Sequence, residues 1–287
     1  MNTIQRLAAF AAVGAAVLGI GAGLGTRFAV GGDDAEAGDV EPLAAEGAGV
    51  VVATDGYRLV LDDRELPAGG GELSFSIIGP DGVPVRAFDT VHERDLHLIV
   101  ASRDLTTYHH LHPELDAAGT WSIAVPALPA GPYRAITDFQ VADGPHLVLG
   151  ADVDVAGPYE PSELMDPQPV ATVDGYEVTM SADLGGRRDG SVELTMTVHR
   201  EGRIGDDLQP YLGAMGHLVA LRSGDLAYAH VHPHESTAEP GVVRFDAVLD
   251  AAGRYALFFD FQVDGVVRTA TFTFDQGLVT AAPSMEH

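Results

Sequence analysis

Residues 97–113 read HLIVASRDLTTYHHLHP, and residues 217–233 read HLVALRSGDLAYAHVHP. His97-Leu98 returns as His217-Leu218, and Tyr108-His109-His110-Leu111-His112-Pro113 returns as Tyr228-Ala229-His230-Val231-His232-Pro233. Working outward, Asp55-Gly56-Tyr57 recurs as Asp174-Gly175-Tyr176, and Glu72 to Ile77 recurs as Glu193 to Val198. Tyr133 through Asp138-Phe139-Gln140 is answered by Tyr255 through Asp260-Phe261-Gln262. The offset is about 120 residues throughout, the signature of a duplicated domain.

Within each copy, short stretches alternate apolar and polar residues, as in Tyr57 to Leu61, Glu72 to Ile78 and Trp121 to Val125, and Gly/Pro clusters such as Gly79-Pro80-Asp81-Gly82 separate them. That period-two pattern with regular turns predicts an all-β fold: two tandem immunoglobulin-like β-sandwiches. The domains are expected at 49–156 and 170–276. A linker containing several prolines joins them at 157–169, and a tail follows at 277–287. Residues 31–48 are acidic and small, without pattern, and read as a tether.

The first 30 residues carry the address. Arg6 precedes an uncharged run from Leu7 to Gly25, and Arg27 follows it. A spanning helix needs about 20 apolar residues, so the run fits a transmembrane signal anchor. A cleaved signal peptide is the alternative, although the small-x-small site Ala35-Glu36-Ala37 lies awkwardly beyond two aspartates. On the first reading the protein is membrane-anchored with its domains on the extracytoplasmic side; on the second it is secreted.

Composition narrows the function. A net charge of −26, with 16 basic residues that are all Arg, speaks against nucleic acid, whose phosphates require a basic face. With no Cys there is no disulfide, thiolate site or cysteine nucleophile, so any metal must be held by His, Asp, Glu, Met or Tyr. No nucleophile elbow, zinc-protease helix motif or phosphate loop occurs, and the expected role is not enzymatic.

The chemistry resides in the histidines. Residues two apart on a strand share a face, so His110 and His112 point one way, as do His230 and His232. An even hairpin loop centred on Arg103-Asp104 sets His97 opposite His110. One centred on Ser223-Gly224 sets His217 opposite His230. Three imidazoles then converge in each domain, a set suited to copper or zinc. The same register sets Asp95 opposite His112 and Met215 opposite His232. As ligands, the carboxylate would harden the first site and the thioether would soften the second toward copper; either residue could equally be an ordinary strand residue. A lone histidine is more simply a surface or core residue, and only the threefold pattern outweighs that reading. Asp138 and Asp260 end matched strands, where a carboxylate either orients an imidazole or simply closes the strand or turn. His146, His199 and His287 read as surface residues.

Asp104-Leu105 and Asp225-Leu226, each followed by His-x-His-Pro, together with Met215-Gly216-His217-Leu218-Val219-Ala220-Leu221, resemble a group of exported, actinobacterial-type bacterial proteins. That group is loosely similar to FixH/YtkA-like and copper-resistance β-sandwich proteins. The resemblance implies extracytoplasmic handling or delivery of copper or zinc, and carries over at His97, His110, His112, His217, His230 and His232. An extracytoplasmic metal-transport partner would fit that context, with the N-terminal helix providing the membrane contact. A cell-surface structural or interaction module with pH-sensitive histidines is the alternative. A copper metalloenzyme ranks behind both.

Overall fold

A computed structural model describes residues 48–183, 191–205, 207–229, 231–234, 239–249 and 251–277. The anchor-or-signal segment, nearly all of the tether and the C-terminal tail lie outside these residues. Both repeats are β-sandwiches, in tandem, as the alternating pattern predicts.

The first sandwich is built from β1 (Tyr57–Leu61), β2 (Gly71–Ile78), β3 (His97–Ser102), β4 (Tyr108–Leu111), β5 (Trp121–Val125), β6 (Gly131–Val141) and β7 (His146–Val155). One sheet runs β1-β2-β5, with short strands at Ala53–Thr54 and Glu114–Leu115 at its edges; the other runs β7-β6-β3-β4. The second sandwich has β8 (Val170–Val173), β9 (Tyr176–Asp183), β10 (Ser191–Arg200), β11 (His217–Arg222), β12 (Tyr228–Ala229), β13 (Val231–Pro233), β14 (Val242–Val248), β15 (Gly253–Val263) and β16 (Val266–Gln276). Its sheets run β8-β9-β10-β14-β13 and β12-β11-β15-β16.

Alternation decides which side chains make each core. In β2, Leu73, Phe75 and Ile77 are buried while Ser74 and Ser76 face outward, and in β10 Val192, Leu194, Met196 and Val198 repeat the pattern. These residues meet Trp121, Tyr133 and Phe139 in the first domain, and Phe245, Tyr255 and Phe259 in the second.

Strands of the facing sheets break the alternation, and the break is informative. β3 and β6, like β11 and β15, are buried on both faces. Leu98, Val100, Tyr133 and Ala135 enter the first sandwich core, whereas Ile99, Ala101 and Ile136 pack against Val219, Leu221, Ala256 and Phe258 of the second domain. The domains are thus joined sheet to sheet through a third apolar core. A strand covered on both sides should read as an unbroken apolar run, and Leu98-Ile99-Val100-Ala101 does. The linker lies against this assembly: Leu164 packs on the shared core, and the Ser162 amide donates to Asp104 Oδ2 at 3.0 Å.

Residues 48–51 are laid between the domains. The Gly49 amide donates to Val148 O at 3.1 Å, the Gly150 amide to Val51 O at 2.8 Å, and the Tyr228 amide to Ala48 O at 2.8 Å. Buried Arg134 donates to the carbonyls of Gly49, Val50 and Gly150 and to Asp152. A Cβ on Gly150 would collide with the Gly49 carbonyl oxygen. Gly150→Ala should therefore dislodge this segment, at a cost of about 1–3 kcal/mol. Urea denaturation would measure the loss, and limited proteolysis should show new cleavage near residue 50. An unchanged midpoint and cleavage pattern would contradict the close approach.

Candidate functional site

The β3–β4 hairpin carries the first cluster, and its turn sets the register. The Ser102 amide donates to Thr107 O, closing a loop over Arg103–Thr106. Asp104 accepts from Ser102 Oγ at 2.7 Å, Thr106 Oγ1 at 2.7 Å and the Thr106 amide at 3.2 Å. Leu105 takes a left-handed backbone with φ 60°, which an L-residue adopts at a cost, and its side chain is buried in the interdomain core. Leu226 does the same at φ 58°. The Asp-Leu dipeptide is therefore turn and plug: the carboxylate organises the loop and the leucine inserts between domains.

This loop is centred between Asp104 and Leu105, one residue beyond the expected centre. Ala101 pairs with Tyr108, Ile99 with His110 and Leu98 with Leu111. The parity is as expected, so all three histidines share one face, but the pairing is shifted by one step. His97 is level with His112 rather than His110. Asp95 consequently does not lie opposite His112; it precedes the strand, is exposed, and accepts from Thr90 Oγ1 at 2.7 Å.

The shared face is the one turned toward the second domain. Potential ligand nitrogens of His97, His110 and His112 all lie within 4.8 Å of one another. His97 Nδ1 is 3.0 Å from His110 Nε2, and the ring centroids of His97 and His112 are 5.1 Å apart, those of His110 and His112 4.8 Å. His97 Nε2 donates to Val91 O at 3.1 Å. His112 Nε2 is buried with no hydrogen-bond partner among the described residues.

Among the described residues, no matching three-histidine group is seen in the second domain. Leu221 pairs with Tyr228 and Ala220 with Ala229, again one step from expectation. The chain then crosses to the other sheet, where Val231 pairs with Ala247 and His232 with Asp246. His232 is thereby carried off the hairpin that bears His217, and Met215 has no place opposite it; Met215 is 36% exposed. His230, and the side chain of His232, lie outside the described residues.

His217 instead joins the first cluster from across the domain boundary. Its ring centroid is 6.4 Å from that of His110 and 5.5 Å from that of His92, and its Nε2 donates to Tyr211 O at 2.8 Å. His92 reaches this point because Val91 and Arg94 pair across a tight turn, with φ 48° at His92 and 62° at Glu93. His92, His97, His110 and His217 line a cavity of about 40 Å³, room for an ion or a water.

Two matched carboxylates sit below the histidines. Asp138 pairs with His97 in the β3–β6 register, as Asp260 pairs with His217 in β11–β15. Asp260 reaches across the boundary: His110 Nδ1 is 3.1 Å and the Tyr108 hydroxyl 3.3 Å from its Oδ2, while Thr269 Oγ1 donates to its Oδ1 at 2.6 Å. Asp138 bonds the Tyr228 hydroxyl and lies 2.6 Å from His146 Nε2. His146 is therefore a largely covered interface residue, not the surface residue its sequence context indicates. Tyr108 stacks on Phe258 with ring centroids 4.0 Å apart.

Burial lowers the pKa of His97, His112 and His217. It lowers His97 to about 4, helped by His110 and opposed by Asp138. It lowers His112 to about 3, with His110 and His97 adding to the effect. It also lowers His217 to about 4. Neutral imidazole is the metal-binding form, so protons do not block these nitrogens near neutrality. A second group with ligand spacing, Glu193, His234 and Asp246, is more exposed. There His234 Nε2 lies 2.8 Å from Asp246 Oδ2.

Residues 51–157 and 171–277 each match a family described as "Domain of unknown function (DUF8832)". No curated protein matches. Among solved structures, a DUF4426 family protein from Pseudomonas aeruginosa PAO1 is similar at 8% identity and a TM-score of 0.30, over 38% of this chain and 96% of that one. The D00-D0 domain of intimin is similar at 13% identity and a TM-score of 0.23, over 76% of this chain and all of that one. Invasin, a bacterial integrin-binding protein, is similar at 11% identity and 0.22, over 76% of this chain and 38% of that one.

Proposed function

We propose that this chain, which belongs to the DUF8832 family through both of its domains, is a non-enzymatic extracytoplasmic protein that binds one copper(II) or zinc ion on His97, His110 and His112. The observation carrying this reading is the buried, unpartnered Nε2 of His112 beside two imidazoles whose nitrogens face each other at 3.0 Å. Two nitrogens sharing a tetrahedral ion at about 2.0–2.1 Å stand roughly 3.3 Å apart, so this pair needs little adjustment. A set of neutral imidazoles favours copper(II) and zinc over the hard ions calcium and magnesium. Acidic exposed surface would draw cations toward the site in a general way.

The full chain should take up one equivalent of zinc or copper(II) in a calorimetric titration, with magnesium unable to compete. No uptake at millimolar metal would defeat the reading.

A second reading is favoured by one observation: the histidines stand at the contact between two sandwiches. On that reading the protein is a cell-surface structural or interaction module, and the imidazoles make the contact sensitive to acid. Metal uptake near neutral pH separates the two readings, because the module needs none.

A further inference from the structure

We infer that the proposed metal site is completed across the domain boundary, with Asp260 of the second domain positioning His110 so that its Nε2 is presented to the ion. The inference rests on the three-histidine reading and follows from which atoms can donate. A backbone carbonyl only accepts, so the contact of His97 Nε2 with Val91 O places a proton on that nitrogen. With Nε2 turned to that carbonyl, Nδ1 is the His97 nitrogen that faces His110.

A carboxylate also only accepts, so the contact of His110 Nδ1 with Asp260 Oδ2 calls for a proton on Nδ1. With Nδ1 turned to Asp260, Nε2 is the His110 nitrogen that faces His97 Nδ1, at 3.0 Å, and a metal ion shared by the two would take both. Carboxylate behind imidazole is the usual support for a metal-bound histidine: it fixes the ring, selects the tautomer and raises ligand basicity. The carboxylate here comes from the other domain.

Asp260 is itself held. Its side chain is 3% exposed, Thr269 Oγ1 occupies Oδ1, and its backbone is paired with Thr269 and His217 on either side. The matching residue of the first domain, Asp138, is engaged with His146 and Tyr228. Among the described residues, the histidine cluster is thus a composite site in which the second domain supplies the orienting charge. Bringing the domains together and presenting His110 to metal become the same event.

The test uses the full chain. Proton–nitrogen correlation spectra of the zinc-loaded protein should show His110 protonated on Nδ1, with a strongly hydrogen-bonded proton, and bare on Nε2. Asp260→Asn should still bind one equivalent, but about 10- to 100-fold more weakly, and should shift the visible bands of the cobalt(II) form. A zinc-loaded wild type with the proton on His110 Nε2 would overturn the inference and leave the three-histidine site standing. Unchanged affinity and cobalt spectrum in Asp260→Asn would do the same. Should that variant fail to fold, the wild-type tautomer decides alone. If the wild type takes up no zinc or cobalt, the three-histidine reading falls, and this inference with it.

Discussion

The double variant His110→Ala, His112→Ala loses its tightly bound ion, with zinc or copper(II) affinity falling on the order of a thousandfold or more and stoichiometry dropping from one to none. The size follows from ligand count. His97 alone remains of the three converging nitrogens, and one imidazole cannot hold a divalent ion against water. The fold should survive, because neither side chain belongs to either sandwich core. Far-ultraviolet circular dichroism would verify that, and calorimetry would give the stoichiometry. A full equivalent still bound would locate the ion elsewhere, for instance at Glu193, His234 and Asp246.

Acid should unfold the metal-free protein far more steeply than its carboxylates alone would require. An unfolded histidine titrates near 6.5, whereas burial holds His97 and His217 at about 4 and His112 at about 3. Above pH 6.5 these groups are neutral in both states and stability is unaffected. As pH falls from 6.5 toward 4, the unfolded chain takes up protons that the folded chain refuses, so folded stability is progressively lost. For His97 and His217 the loss reaches up to about 3 kcal/mol each; His112, more open to water, adds less. Together these approach the whole stability of an ordinary domain, about 5–15 kcal/mol. Thermal melts between pH 7 and 4 should show the midpoint falling throughout. The His97→Gln, His217→Gln variant should flatten the dependence. A flat midpoint from pH 7 to 5 in the parent protein would contradict the burial of these rings.

Much of this was legible before any coordinates. The repeat at a constant offset announces two copies, and the alternation in Glu72 to Ile78 announces strands with one buried face. His-x-His on a strand puts both rings on one side, and that parity holds. The register was not legible, because it depends on a four-residue loop stabilised by Asp104 and on a leucine held at positive φ. Such a turn has no simple composition signal, and its one-residue displacement removes Asp95 from the cluster.

In the second domain the strand after Ala229 pairs within the opposite sheet, Val231 with Ala247 and His232 with Asp246, a partner that the matching strings HHLHP and AHVHP do not reveal. The interdomain core did leave a trace in the unbroken apolar runs Leu98–Ala101, Leu218–Leu221 and Ala256–Phe259. Read as doubly covered strands, they would have placed the histidines between domains. Asp260 was recognisable as an orienting carboxylate; that it serves the other domain's histidine was not.

The contact between the sandwiches is reciprocal. Tyr108 reaches Asp260 while Tyr228 reaches Asp138, and Ile99 and Ala101 meet the face that bears their own counterparts, Val219 and Leu221. Matching patches that bind each other are what a two-fold axis produces in a homodimer. A lone ancestral copy with this face would have paired with itself, and its assembly would have risen and fallen with concentration. Fusing two copies in one chain makes that pairing independent of dilution.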